Sequence, residues 1–158
     1  MSTPPADSAA QPPTALIGWR LLALLYDLFV TVSLWIVVAV PFVLLDVAVS
    51  GDVRHNIGPS SLLQWLLWLA CWAATGLYAT ISWARGGQTL GMRPWRLRVV
   101  GQDGAAPGRR RLWLRYAVAT LSLAAGGLGF WWAWFDRDRQ TWHDRAARTR
   151  MVRAAKAA

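Results

Sequence analysis

Arg20 and Asp27 are the residues of this chain whose types and spacing could do chemistry in a costly place. Asp27 lies seven residues into an apolar run that otherwise reads Leu21 to Leu45. A carboxylate at that depth is expected inside a membrane rather than at its edge, and an ionisable group there is by default a functional-site candidate. Arg20 precedes it by seven residues, close to two helical turns, which puts both side chains on one face about 10 Å apart along the axis. Thr31, one turn beyond Asp27, shares that face. Burial raises the pKa of a carboxyl and a neighbouring cation lowers it, so a pair of this kind can exchange a proton near neutral pH. The plainer alternative is an interhelical hydrogen bond or buried ion pair that fixes packing, with Arg20 reaching out to lipid phosphate.

His143 and Asp144 form the second constellation. Adjacent side chains on a helix point about 100° apart, so these two make no dyad with each other. A histidine near a carboxylate can relay a proton or sense pH. The simpler reading is that the pair anchors the C-terminal segment to the preceding basic loop through an arginine such as Arg93 or Arg115. The other histidine, His55, falls in a different loop, and Cys71 is the single cysteine. That pattern excludes an intramolecular disulfide and offers no metal-ligand spacing. Gly86-Gly87-Gln88-Thr89-Leu90-Gly91 could present backbone N–H groups to an anion. It lacks the GxxxxGK[ST] pattern of a nucleotide-binding loop, so Gly87 and Gly91 are read as a tight turn, with Gln88 and Thr89 capping a neighbouring helix. With no Ser/His/Asp set, no carboxylate pair at catalytic spacing and no cofactor fingerprint, the expectation is a non-enzyme without a cofactor.

The elements that must position these groups are set by apolar patterning. The 158 residues are 55% hydrophobic, and the apolar residues are blocked into long runs rather than spread through a soluble core. A first helix is predicted over 21–45 and a second over 62–83; about 20 apolar residues cross the hydrocarbon layer. Trp65, Trp68 and Trp72 share one face of the second helix, expected against lipid or the first helix. Thr75, Tyr78, Thr80 and Ser82 are candidate hydrogen-bond partners for an intramembrane carboxylate. The third apolar segment, 112–135, is broken by Gly126, Gly127 and Gly129.

Charge sets the topology. Lys and Arg number 17 against 8 acids, for a net charge of +9, and they flank the apolar runs. That favours an anionic membrane surface over nucleic acid as the partner. The 84–111 loop carries seven arginines and the 46–61 loop one, so the former and the N-terminus are expected on the cytoplasmic side of a bacterial inner membrane. A third full crossing would put the basic tail outside; a helical hairpin turning at Gly126-Gly127 would keep it inside, its free backbone groups covered by protein or water. Both readings stay open, the hairpin being preferred. Within the 84–111 loop, Trp95-Arg96-Leu97-Arg98-Val99-Val100 alternates like a half-buried strand, and Gly101-Gln102-Asp103-Gly104 reads as a turn. Together they predict a small β-hairpin at the headgroups. Arg109, Arg110, Arg111, Arg137 and Arg139 are expected to contact anionic lipid, and Trp131, Trp132 and Trp134 to sit in the interfacial aromatic belt.

Three blocks of this chain resemble the RDD family of small integral membrane proteins: Arg20-Leu21-Leu22-Ala23 followed by Asp27; Gly87-Gln88-Thr89-Leu90-Gly91-Met92-Arg93 with Leu97-Arg98-Val99-Val100; and Arg139-Gln140-Thr141-Trp142-His143-Asp144-Arg145-Ala146-Ala147-Arg148-Thr149. They come in the family's order and spacing. The resemblance implies that Arg20 and Asp27 are the arginine and the first-helix aspartate for which the family is named, and Asp144 the second aspartate. Met92-Arg93 departs from a lysine common after the glycine, and Arg148 stands where glycine is usual. The implied organisation is a tail over 1–15, a membrane domain over 16–153 and a tail over 154–158. The fold class expected is all-α and membrane-embedded, with two firm spans and the glycine-broken third segment. A transport role has been suggested for the family. Two functions follow: a small transporter or transporter component for cations or protons using Asp27, or a non-transporting scaffold that binds partner proteins, further copies of itself or anionic lipids.

Overall fold

The computed structural model describes residues 16–53, 57–58 and 61–154. The expected tail over 1–15, most of the tail over 154–158, and His55 lie outside the described residues. Two long helices dominate: α1 (Ile17–Ser50) and α2 (Leu62–Gly86). Both are long and apolar enough to cross a membrane. Each overruns its expected span. The 34 residues of α1 are about 51 Å long at 1.5 Å per residue, against a hydrocarbon layer of about 30 Å. Leu28 to Leu45 gives an uncharged stretch of about 27 Å, close to the thickness of that layer. Pro41 is accommodated inside α1, which ends at Gly51 with φ +70° and an N–H donated to the Val47 carbonyl. α2 starts at Ser61, whose hydroxyl accepts from the Gln64 N–H. It ends at Gly87, also at φ +70°, against the Val99 carbonyl.

Large apolar side chains face outward along both helices, among them Phe29, Ile36, Val37, Trp65 and Leu69. In water such a surface would be a liability; in lipid it is the expected exterior. Interhelical hydrogen bonds replace the missing hydrophobic drive: the Trp35 indole donates to Thr75, and the Tyr116 hydroxyl to the Trp72 carbonyl. The compact core lies at one end of the bundle instead. Ala23, Met92, Leu97, Val99 and Leu112 are buried there, with Trp19, Trp83 and Trp95 packed against them.

The third apolar segment is bent by 108° between α3 (Arg109–Ala124) and α4 (Leu128–Trp131), which runs on into a 3-10 turn at Trp132–Trp134. The break falls at Gly126 and Gly127, with φ of +69° and +79°. Arg115 near the start of the segment is bonded to Asp144 and Thr149 beyond its end. The third segment is thus sharply bent at its glycines, and the residues that follow it pack back against the start of α3.

The local β-hairpin expected within 84–111 does not form. The alternating strand is present as β1 (Leu97–Gly101), with Leu97 and Val99 buried and Arg98 exposed. Its partner is β2 (Thr149–Arg153), antiparallel, with Leu97 opposite Arg153 and Gly101 opposite Thr149. The turn after Gly101 leads into α3, so the ladder is closed by a strand from the far end of the chain. Ahead of β2 lies the short helix α5 (Trp142–Ala146). Arg148, where the resemblance implies a glycine, adopts φ +51°. The turn thus survives the departure at a strain of about 1–2 kcal/mol for a left-handed side-chain-bearing residue. Arg148→Gly is expected to raise stability by about 0.5–1 kcal/mol after glycine's own entropy cost, read as a higher thermal midpoint in detergent.

Candidate functional site

Two carboxylates organise the polar end of the bundle, and they do so separately. Asp144 is fully buried, and so are Arg20 at 5% and Arg115 at 1% exposure. Arg20 Nη1 donates to Asp144 Oδ2 at 2.5 Å, and Arg115 Nη1 donates to Asp144 Oδ1. Arg115 Nη1 also reaches Thr149 Oγ1 at 2.7 Å, and Arg20 Nη1 reaches Thr141 Oγ1 at 3.2 Å. Thr141 caps α5: its hydroxyl accepts from the Asp144 N–H, and the Asp144 carboxylate accepts from the Thr141 N–H. This reciprocal capping box fixes the carboxylate independently of the arginines. One aspartate thereby joins α1, α3, α5 and β2.

Asp144 and His143 lie outside the membrane-spanning helices. Burial pushes the Asp144 carboxyl upward, but the Arg115 and Arg20 guanidiniums outweigh that and hold it well below the usual carboxylate range. His143, stacked on Phe130 with ring centroids 4.9 Å apart, is pushed down to about 3, chiefly by burial and then by the Arg115 charge. It is neutral at physiological pH and is no relay between the charges. Because its folded pKa is depressed, the unfolded chain binds the extra proton between about 3 and 6.5. Stability is therefore fully present above about 6.5 and falls as pH drops through that window, with a slope of up to about 1.4 kcal/mol per pH unit from this one group. Urea or thermal unfolding of His143→Gln, followed against pH, is expected to show a flatter acid limb than the parent.

Asp27 keeps different company. Tyr78 donates its hydroxyl to Oδ1 at 2.7 Å, Thr89 donates to Oδ2 at 2.5 Å, and the Gly91 N–H donates to Oδ1 at 2.9 Å. The Tyr78 oxygen in turn accepts from the Leu90 N–H. The expected Arg20–Asp27 pair is not made: the shared helix face is real, but Arg20 is taken by Asp144. Asp27 instead clamps the turn after α2 onto α1. Gly91 is needed for this, because a Cβ there would stand 2.7 Å from the Asp27 backbone nitrogen. The contacts thus tie Asp27 both to Tyr78 inside α2 and to the turn that follows α2.

Of the other sequence candidates, Tyr78 is the predicted partner that does reach Asp27, while Thr75 and Thr80 bond elsewhere. Thr31 lines a cavity between the helices. Gln88 and Thr89 cap no helix: Gln88 Nε2 donates to the Leu97 carbonyl. Arg115, not Arg93, takes the Asp144 anchor, and Arg93 is exposed. Arg109, Arg110, Arg111, Arg137 and Arg139 are exposed too, with Arg139 donating to the Trp134 carbonyl. Sequence reasoning missed Thr141 and Thr149. The T-x-x-D spacing of Thr141 and Asp144 is a capping-box pattern that could have flagged the first; nothing local marks the second. Among the described residues, no cluster of His, Cys, Asp or Glu could hold a metal ion.

No curated protein and no solved structure matches the chain. The model of the RDD family matches residues 14–148. That range takes in Arg20 and Asp27 on the first helix and Asp144 on α5, the arginine and two aspartates that hold the two polar clusters together. A match over most of the chain, carried by two apolar helices of membrane-crossing length, means that this protein belongs to the RDD family.

Proposed function

We propose that this chain is a non-transporting, non-enzymatic scaffold of the bacterial inner membrane, with its N-terminus and polar end cytoplasmic and its arginines on anionic lipid. The observation that carries the reading is the closure of Asp27. Three donors from its own chain occupy it, two of them from the turn that follows α2. A carboxylate so engaged works as a latch between the turn and the helix. A carrier of protons or cations needs a carboxylate that gives up its partners on each cycle, and here that would release the turn from the helix.

The arginine ridge supports the lipid part of the reading. Arg109, Arg110 and Arg111 fill the first turn of α3, where the helix dipole disfavours cations. Among the described residues no carboxylate is bonded to them. Three exposed cations kept in an unfavourable place suit an external anion, and each contributes about 1 kcal/mol at an anionic membrane surface.

Liposome reconstitution of the full chain tests the proposal. Internal pH and cation content are expected to follow protein-free controls. Asp27→Asn, which turns an acceptor toward three donors into a partial donor, is expected to cost about 1–3 kcal/mol of stability without altering flux. Flux above the controls that Asp27→Asn abolishes would establish the carrier function instead.

A further inference from the structure

A cavity of about 880 Å³ runs between α1, α2 and α3. Its long walls are mostly apolar, with Leu24, Leu28 and Trp35 from α1, Leu67 and Trp68 from α2, and Leu123 from α3; Asp27, Thr31, Thr75 and Thr120 are polar points among them. From Trp35 to Arg20 is fifteen residues of helix, about 22 Å. One end is different. Arg20, Trp83, Arg115 and His143 line it there. Each of these four carries a buried nitrogen without a hydrogen-bond partner: both arginine Nε atoms, the Trp83 Nε1 and the His143 Nδ1.

The charge count at that end is also open. Two guanidiniums face one carboxylate, Asp144, and His143 is neutral, so the buried cluster holds one positive charge in excess. Asp27 does not close the account, because it stands two turns along α1 with three donors of its own. A buried cation without a partner is costly, and a buried N–H without an acceptor costs about 1–3 kcal/mol. Both costs are offset by one ligand chemistry: an anionic group at the Arg20–Arg115 end, carried by a hydrocarbon chain that fills the rest.

We propose that this cavity is a binding site for an anionic phospholipid, with one acyl chain between the helices toward Trp35 and Trp68 and the phosphate group at the Arg20–Arg115 end. That end is the polar end of the bundle, so the lipid would run parallel to those of the surrounding leaflet. The site rests on the membrane placement in the scaffold reading but not on its arginine ridge.

Cys71 lines the cavity and is the only cysteine of the chain, so it reports occupancy without mutagenesis. The full chain, in lipid-free detergent micelles, is treated with a small maleimide, and modification is followed by intact mass. Phosphatidylglycerol at a few mole per cent is expected to slow the reaction at least tenfold, and phosphatidylcholine at the same level to leave it within twofold. Equal protection by the two lipids would mean ordinary acyl contact and would overturn the site. A thiol that stays unreactive in lipid-free micelles would show the space to be closed, and counts against it equally. The Arg109→Gln/Arg110→Gln/Arg111→Gln variant is expected to keep the selective protection while losing adsorption to phosphatidylglycerol vesicles. If it loses the protection instead, the ridge and not the cavity selects the lipid.

Discussion

Asp144→Asn is expected to abolish the folded state under conditions in which the parent survives solubilisation. The substitution keeps the shape of the side chain and its place in the capping box. What it removes is the charge between two buried guanidiniums. Breaking a buried ion pair from one side costs about 3–5 kcal/mol because an uncompensated charge remains, and here two remain, both positive. Domains are stable by only about 5–15 kcal/mol, so the loss is a large part of the whole. The same reasoning orders the other variants. Arg20→Met leaves Asp144 and Arg115 as a balanced pair and is expected to be the milder change, although it removes more atoms. Replacing Arg20, Arg115 and Asp144 together with apolar residues removes every buried charge and is expected to recover much of the stability that Asp144→Asn loses. The measurement is the thermal midpoint and monodispersity of each variant in one detergent. Arg20→Met proving worse than Asp144→Asn would show that packing, and not charge balance, governs the cluster.

Gly91→Ala is expected to produce the second large loss, about 3 kcal/mol of overpacking, for the opposite reason: an atom is added. The new methyl would meet the Ala23 carbonyl oxygen and, at 2.7 Å, the Asp27 nitrogen. Both belong to the backbone of α1, which cannot rotate out of the way as a side chain would. The turn must lift, and lifting it lengthens the 2.9 Å bond from the Gly91 N–H to Asp27 and draws Thr89 away from the other oxygen. Gly86→Ala is the control. Nothing stands within 4 Å of a Cβ at that position, and it lies in the last turn of α2, so alanine is expected to be neutral or slightly stabilising. Limited proteolysis within 87–96, compared between the two variants, reads the release of the turn directly. Equal resistance in both would mean that the turn is not held by its contact with α1.

Patterns confined to one stretch of chain were legible in the sequence. The two long apolar helices follow from uninterrupted runs that no soluble core requires. The turn at Gly126-Gly127 follows from residues that enter left-handed backbone without strain, and the glycine cluster marked where the third segment bends. The alternation of Leu97, Val99 and the arginines between them marked β1, because a half-buried strand imposes period two on its own residues. Even Tyr78 could be named as a partner for Asp27, since a hydroxyl on a facing helix is one of few groups able to satisfy a carboxylate there.

Pairing across the chain belonged to the tertiary structure alone. Arg20 and Asp27 share a helix face, and from sequence they looked like one site. The fold separates them, because Asp144, 124 positions away and held by the Thr141 cap, takes Arg20, and Gly91 lets the turn after α2 close on Asp27. β1 found its partner in β2 and not in the residues after Gly101, since hydrogen-bonding groups along a strand edge specify that a partner is needed without specifying which. Local periodicity is written in neighbouring residues. Which arginine meets which aspartate depends on where three helices and a doubled-back segment deliver them, and no spacing along the chain encodes that.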